Sequence, residues 1–182
     1  YVETAADSTA HIFSNIKRAA DLISSFKQVA VDQSSEEQRR FLIKEYLEKV
    51  LLSLQPKIKR TQHLIQINCN KDIEIKSYPG AFSQVITNLV MNSFIHGFEG
   101  IEKGLIVFNI SQNAHDLNIR YSDNGVGMDE KTVNNIFDPF YTSKRGLGGS
   151  GLGMHIVYNI VTQTLDGRID CQSKPGEGTE FK

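Results

Sequence analysis

Apolar and small residues recur at Val2, Ala5, Thr9, Ile12, Ile16, Ala19, Ile23, Phe26 and Ala30. The steps alternate three and four, which predicts a helix with one apolar seam over residues 1–33. Phe13, Ala20 and Leu22 widen the seam toward the stripe of a four-helix bundle. Such a helix needs a partner, either from upstream or from a second copy, unless it folds back onto its own domain. Asp32-Gln33-Ser34-Ser35 breaks the pattern. Phe41-Leu42-Ile43 then predicts a strand, and Tyr46, Leu47, Val50, Leu51 and Leu54 a helix ending near Pro56. Leu64 to Ile67 and Ile73 to Ile75 read as strands around Asn70-Lys71-Asp72. A helix opens at Tyr78-Pro79-Gly80, carries Phe82, Val85, Ile86, Leu89 and Val90 inward, and stops at Gly97. Residues 105–110 and 117–121 alternate as a hairpin, followed by a turn over 123–127 and a short helix over 129–136. A mobile glycine-rich loop over 142–151, a helix over 152–164, and strands over 168–173 and at Phe181 complete the reading. This mixed order predicts an α+β fold, a two-layer sandwich of a mixed sheet covered by helices on one face and preceded by a long helix. The expected division is 1–33 and 34–182.

Composition narrows the function only a little. The chain has 182 residues, 20 Lys+Arg, 21 Asp+Glu and a formal charge of -1, so it lacks the basic excess of a general nucleic-acid binder. Hydrophobic (40%) and charged (23%) fractions are those of a folded globular protein. Cys69 and Cys171 show no CxxC pairing and read as thiols in a reducing compartment. No apolar run is long enough to span a membrane. The opening Tyr1-Val2-Glu3-Thr4 has neither Met nor a leader pattern, and the chain reads as a piece of a longer protein.

Four segments carry candidate chemistry. In Asn88-Leu89-Val90-Met91-Asn92-Ser93-Phe94-Ile95-His96-Gly97, the residues Asn88, Asn92 and His96 are four apart and share one helix face. An asparagine oxygen is a hard ligand suited to Mg²⁺, which keeps several waters and takes other oxygens from phosphates. The plainer alternative is that these side chains bond to neighbouring backbone. Asp123-Asn124-Gly125-Val126-Gly127-Met128 is a turn whose glycines allow close approach, and Asp123 can accept a hydrogen bond from an exocyclic amine. In Ile136 to Lys144, Phe137 and Phe140 flank Pro139 and are expected to anchor a loop root in the core. Arg145-Gly146-Leu147-Gly148-Gly149-Ser150-Gly151-Leu152-Gly153-Met154-His155 places glycines before a helix start, an arrangement suited to phosphate. It lacks the G-K-[ST] of a Walker A loop, and its context is not the first turn of a dinucleotide-binding βαβ unit.

Together these segments resemble, in order and spacing, the N, G1, F and G2 boxes of the histidine kinase ATP-binding domain. That domain shares a superfamily, with a Bergerat-type ATP fold, with DNA gyrase, heat-shock chaperone ATPases and mismatch-repair ATPases. The resemblance covers about residues 38–182. It implies ATP and Mg²⁺ as cofactors, with Asn92 the metal ligand and Asn88 a polar contact beside it. It places His96 near the nucleotide, Asp123 on the adenine amine, and Gly125, Gly127 and Met128 around the base. Thr142 to Gly151 would be the ATP lid, with Gly149, Ser150, Gly151, Leu152 and Gly153 at the phosphates. Lys144 and Arg145 would supply positive charge to the γ-phosphate. Residues 1–33 resemble the second helix of a dimerisation and phosphotransfer hairpin. The implied partners are a second copy through that helix and the receiver domain of a response regulator, with no nucleic acid. The implied location is cytoplasmic, within a parent protein that in many family members is anchored in the inner membrane.

The sequence also departs from the family. Ile95 stands where a Lys is common, and Gln84 where gyrase-like members carry a water-activating Glu. His11 is followed by Ile12-Phe13-Ser14-Asn15, without the acid and Pro expected after a phospho-accepting His, and His63, His115 and His155 fit that context no better. Three functions follow: a histidine kinase whose acceptor His lies outside this chain, an ATP-hydrolysing dimer clamp, or a nucleotide-binding module without kinase activity. Asn109-Ile110-Ser111 fits a glycosylation sequon within a predicted strand, and Lys57-Ile58-Lys59-Arg60 reads as a solvated helix end.

Overall fold

The computed structural model describes residues 12, 13, 16, 20, 23, 24, 27, 29, 31, 32, 37–58, 61–69, 72–113, 116–142 and 151–182. After an N-terminal segment whose described residues between 12 and 32 are helical come β1 (Arg39–Leu42), α1 (Ile43–Ile58), β2 (Leu64–Cys69), β3 (Glu74–Ser77) and α2 (Pro79–Asn92). β4 (Leu105–Gln112), β5 (Leu117–Asp123), α3 (Glu130–Asn135), α4 (Gly153–Asn159), β6 (Cys171–Lys174) and β7 (Gly178–Phe181) follow. Two helices widen at their ends into π turns, Ser93–Gly97 after α2 and Ile160–Thr164 after α4.

The five-stranded sheet has the order β2-β4-β5-β7-β6, with β2 and β4 parallel and every other pair antiparallel. Its period-two alternation separates two faces. On the inner face one register row runs Ile67, Phe108, Tyr121, Phe181, Cys171 across all five strands. Phe108 and Tyr121 meet edge-on with ring centroids 5.0 Å apart. The outer face is polar, with Asn68 donating to Asn109 and Arg120 facing Glu180. The helices cover the inner face alone. Ile43, Tyr46, Leu47, Val50 and Leu54 of α1, Ile86, Leu89 and Val90 of α2, and Met154 and Val157 of α4 are buried in one core with the sheet residues. Helical spacing of three and four puts each set on one face. Pro79 begins α2 with its φ already set for a helix. The two-layer mixed architecture expected from the sequence is therefore the one observed.

One local expectation is corrected, at the strand expected from Arg168, and the fold decides two features that the local pattern left open. The strands flanking Asn70-Lys71-Asp72 do not adjoin. β2 joins β4, whereas β3 pairs with β1 in a separate two-stranded sheet in which Phe41 opposes Ile75. A parallel β2–β4 pair needs a crossover, which β3 and α2 supply, and it sets Ile65 and Ile67 beside Ile106 and Phe108. α1 ends near Pro56 as expected, with the proline inside its last turn. The strand expected from Arg168 is assigned from Cys171, although Asp170 and Lys182 still exchange two backbone hydrogen bonds.

All described residues of the N-terminal segment between 12 and 32 are helical. Ile12, Phe13, Ile16 and Ile23 are 60–70% exposed, so these residues of the stripe do not fold back onto their own domain. At the far end of the segment, Val29 and Asp32 are buried. Arg39 Nη2 donates to Asp32 Oδ2 at 2.9 Å, and the guanidinium lies 5.5 and 5.6 Å from the ring centres of Phe41 and Tyr46. Burial, and then the charge of Asp32, push the Tyr46 hydroxyl well above the ordinary tyrosine range.

Phe108 is 1% exposed at the centre of the aromatic row. Phe108→Ala is expected to cost about 3–5 kcal/mol of unfolding free energy in a urea titration. Arg40→Gln, which breaks an exposed pair with Glu74, should change it by less than about 1 kcal/mol.

Candidate functional site

The inner face changes character one residue pair beyond the aromatic row. There the register reads Ile65, Ile106, Asp123, Thr179, Ser173. Asp123 points to the core side because it lies two residues after Tyr121. A carboxylate in that position needs donors, and three reach it. Gly125 N–H donates to Oδ1 at 2.9 Å and Thr179 N–H at 3.2 Å. The Ser93 hydroxyl donates to Oδ2. Ser93 Oγ lies 2.5 Å from Tyr121 Oη, which also reaches the Leu89 carbonyl at 3.1 Å. Burial pushes the Tyr121 hydroxyl far above the ordinary tyrosine range, so it stays protonated as a donor.

Ser93 sits at the step from α2 into its π turn, which is closed by Phe98 N–H donating to the Ser93 carbonyl at 2.7 Å. The wider turn leaves Asn88, Asn92 and His96 on one side, and all three line a cavity of about 400 Å³. The cavity also contains Asp123, Gly127, Met128, Thr142, Gly151 and Gly153. The volume is within the range usual for small-molecule sites. A more open trough of about 930 Å³ lies beside it, between α3 and β6–β7, and includes neither Asn88 nor Asn92.

Two glycines keep the turn after β5 narrow enough for this arrangement. Gly125 is buried, and a Cβ there would lie 2.5 Å from the Gly97 carbonyl oxygen. Gly127 has φ +67, and a Cβ would fall 1.9 Å from the Lys174 carbonyl oxygen. The turn is stitched to α2 by Val126 N–H to Gly97 O (2.8 Å) and to the β6–β7 turn by Gly176 N–H to Val126 O (2.7 Å). Met128 N–H donates to Ser173 Oγ at 2.9 Å, which holds the methionine at the cavity wall.

Of the residues expected at the site, Gly125 and Leu152 do not line the cavity. Gly125 lies behind Asp123 as its donor, and Leu152 caps the start of α4. Lys144, Arg145, Gly149 and Ser150 lie outside the described residues, as does the predicted loop from 143 to 150. Asn88 comes close to the glycine at the helix start, since a Cβ on Gly153 would be 3.5 Å from its Oδ1. The expectation that both Phe137 and Phe140 anchor in the core holds for one of them. Phe137 packs on Tyr158 and Phe181, but Phe140 is 62% exposed with φ +65. The left-handed turn at Phe140 carries its side chain outward, while its carbonyl packs where a Cβ on Gly151 would be. His155 ties the two segments together. Its Nδ1 donates to the Phe137 carbonyl at 3.0 Å, and its Nε2 accepts from Asn159 at 3.1 Å. Ser93, Thr179, Tyr121 and Tyr141 were missed. A signal existed for Ser93, a hydroxyl continuing the buried face of Ile86, Leu89 and Val90 at helical spacing.

Among the described residues no group of three or more His, Cys, Asp and Glu could hold a metal ion. The cavity instead offers the amide oxygens of Asn88 and Asn92, a donor set that suits a cation carrying most of its shell as water and phosphate oxygen.

Residues 78–182 match the family model described as histidine kinase-, DNA gyrase B- and HSP90-like ATPase. The chain belongs to that ATPase family. Among curated relatives, Sensor histidine kinase RcsC of Escherichia coli (strain K12) is 28% identical over 172 residues, covering 91% of this chain and 18% of that protein. Sporulation kinase A of Bacillus subtilis (strain 168) is 28% identical over 172 residues, covering 94% and 27%. The chain thus spans well under a third of these relatives. Among solved structures, a nucleotide-free catalytic domain of histidine kinase ThkA superposes with a TM-score of 0.69 at 24% identity, covering 80% of this chain and 92% of that one. Full-length ShkA in complex with AMPPNP gives 0.66 at 18% identity, covering 94% and 37%. These likenesses establish the same fold for this ATPase-family chain. Among its described residues, no helix is long and apolar enough to cross a membrane.

Two measurements check the site geometry. Gly127→Ala combines a left-handed backbone with a clash against Lys174, and should lower the midpoint of a thermal melt by several degrees or abolish folding. The Cys171 thiol is pushed up to about 12 by burial and then by the charge of Asp123. It should resist iodoacetamide at pH 8 in the native protein and react once urea is added, as read by mass spectrometry.

Proposed function

We propose that this chain is the ATP-binding catalytic part of a two-component sensor histidine kinase. The supporting observation is the single cavity that gathers Asn88, Asn92, His96, Asp123 and the glycines 127, 151 and 153. In this reading Asp123 accepts the adenine amine while Gly127 and Met128 shape the base pocket. Asn92 holds Mg²⁺ and Asn88 lies beside it. Bound Mg²⁺ offsets the negative charge of the triphosphate. Gly151, Leu152 and Gly153 meet the phosphates at the start of α4, and Lys144 and Arg145 would be the source of positive charge for the γ-phosphoryl. The γ-phosphoryl passes to an imidazole nitrogen of a His outside this chain. The bond to the β-phosphate oxygen breaks, an N–P bond forms, ADP leaves and the nitrogen gives up its proton. Transfer to an Asp of a response-regulator receiver domain follows.

Residues 1–33 would supply the dimer contact, through the exposed stripe of Ile12, Phe13, Ile16 and Ile23. Gln84 is exposed and does not line the cavity, which weighs against a hydrolysing clamp. Ile95, 48% exposed at the cavity mouth, favours the second reading, a nucleotide-binding module without transfer.

Calorimetry should show MgATP binding to the 182-residue chain. Asp123→Asn should weaken ATP at least about tenfold with or without metal, because it places an amide donor or a weaker acceptor opposite the amine. Asn92→Asp should change the Mg²⁺ dependence of binding. Transfer of radiolabelled phosphate to a supplied helical hairpin carrying the acceptor His would establish the kinase. Binding without transfer would establish the second reading, and absence of MgATP binding would overturn both.

A further inference from the structure

Tyr121 reaches the proposed base subsite only through its neighbours, Ser93 lines it beside Asp123, and together they determine what Asp123 can still accept. An ionised carboxylate has about two acceptor positions on each oxygen and no donor. Both positions on Oδ1 are taken, by Gly125 N–H and Thr179 N–H. One position on Oδ2 is taken by Ser93. That leaves one, on Oδ2. Position 97, where a side chain would lie 3.5 Å from that oxygen, is a glycine, so the oxygen stays clear on the cavity side.

Ser93 could have donated elsewhere. A serine in a helix commonly turns its proton back to the carbonyl four residues earlier, here Leu89. That carbonyl already takes the Ser93 backbone N–H. Tyr121 Oη also stands 2.5 Å from Ser93 Oγ and presents its own proton there. The serine proton is thereby directed to Asp123. Ser93 is 3% and Tyr121 1% exposed, so water does not compete for either.

We infer that Ser93 and Tyr121 are positioning residues for base selectivity: they leave the Asp123 carboxylate one aimed acceptor position, which takes the N–H of a 6-aminopurine and turns away a 6-oxopurine. The inference rests on the nucleotide reading above and adds to it the determinant of purine choice. A 6-oxo group would place a second acceptor against the open Oδ2 position, leaving both desolvated and unpaired. Without the Ser93 hydroxyl, a second position opens on Oδ2 and admits a water. A water can donate to the carboxylate and to the oxo group at once, so the distinction fades.

The test compares ATP, inosine triphosphate and purine riboside triphosphate, which lacks any 6-substituent, on the wild-type chain, Ser93→Ala and Tyr121→Phe. Each is titrated calorimetrically with Mg²⁺. Wild type should prefer ATP over inosine triphosphate by about tenfold or more. In both variants that ratio should fall about tenfold toward unity, with purine riboside triphosphate changing less than about twofold. Tyr121→Phe keeps the ring against Phe108 and Phe181, so it carries the test should Ser93→Ala fail to fold. A ratio unchanged in the folded variants, or equal weakening of all three nucleotides, would overturn the inference and leave the nucleotide reading standing. A wild-type chain that binds ATP and inosine triphosphate alike would also overturn it. If wild type binds none of the three, the nucleotide reading itself fails.

Discussion

Asp123 stands where β5 leaves the core, on the face of the sheet that the helices cover. A carboxylate there is costly unless donors meet it, and each of its three donors comes from a different part of the chain. Ser93 belongs to the end of α2, Gly125 to the turn after β5, and Thr179 to β7. Meeting the charge therefore fixes the relative positions of three elements that lie up to 56 residues from Asp123 in sequence. The cavity is a consequence of that arrangement. It opens where α2, the glycine turn and the start of α4 meet over the carboxylate.

The sheet makes this possible through its register. One inner row is apolar from edge to edge, ending in Phe181 and Cys171, and the next turns polar at Asp123. The apolar row keeps the helices seated, and the polar row gives the site its chemistry. The π turn at Ser93–Gly97 serves both rows. It lets Ser93 face the sheet while Asn92 and His96 face the cavity, and such widenings recur at functional sites. Rigid packing below and hydrogen bonds above preorganise the acceptor before any ligand arrives.

The N-terminal segment follows a different logic. Its described apolar residues near the start are exposed, whereas Val29 and Asp32 at its end enter the core of the ATPase domain. The buried Asp32 carboxylate, paired with Arg39 over two aromatic rings, ties the helix end to β1 and α1. One end of this segment is thus fastened, while the described apolar residues near its start face solvent.

Local patterns in the sequence were enough for several elements. The spacing of Ile86, Leu89 and Val90 fixed the inner face of α2 and so the common side of Asn88, Asn92 and His96. The alternation over 105–110 and 117–121 fixed the hairpin, and the glycines of 125 and 127 marked a turn no side chain could enter. These are signals of short range, set by the periods of helix and strand. Non-local features were not legible. Nothing in the chain near Leu64 says that β2 lies parallel to β4, or that β3 leaves for another sheet. Nothing near Phe140 says that its backbone turns left-handed and sends the ring outward. Ser93 and Thr179 look ordinary until the fold brings them to Asp123. The sequence alone marked which residues are expected to meet a charged, amine-bearing ligand. Only the tertiary structure decided which of them share one cavity and how many acceptor positions remain, because hydrogen-bond saturation depends on contacts between segments far apart in the chain.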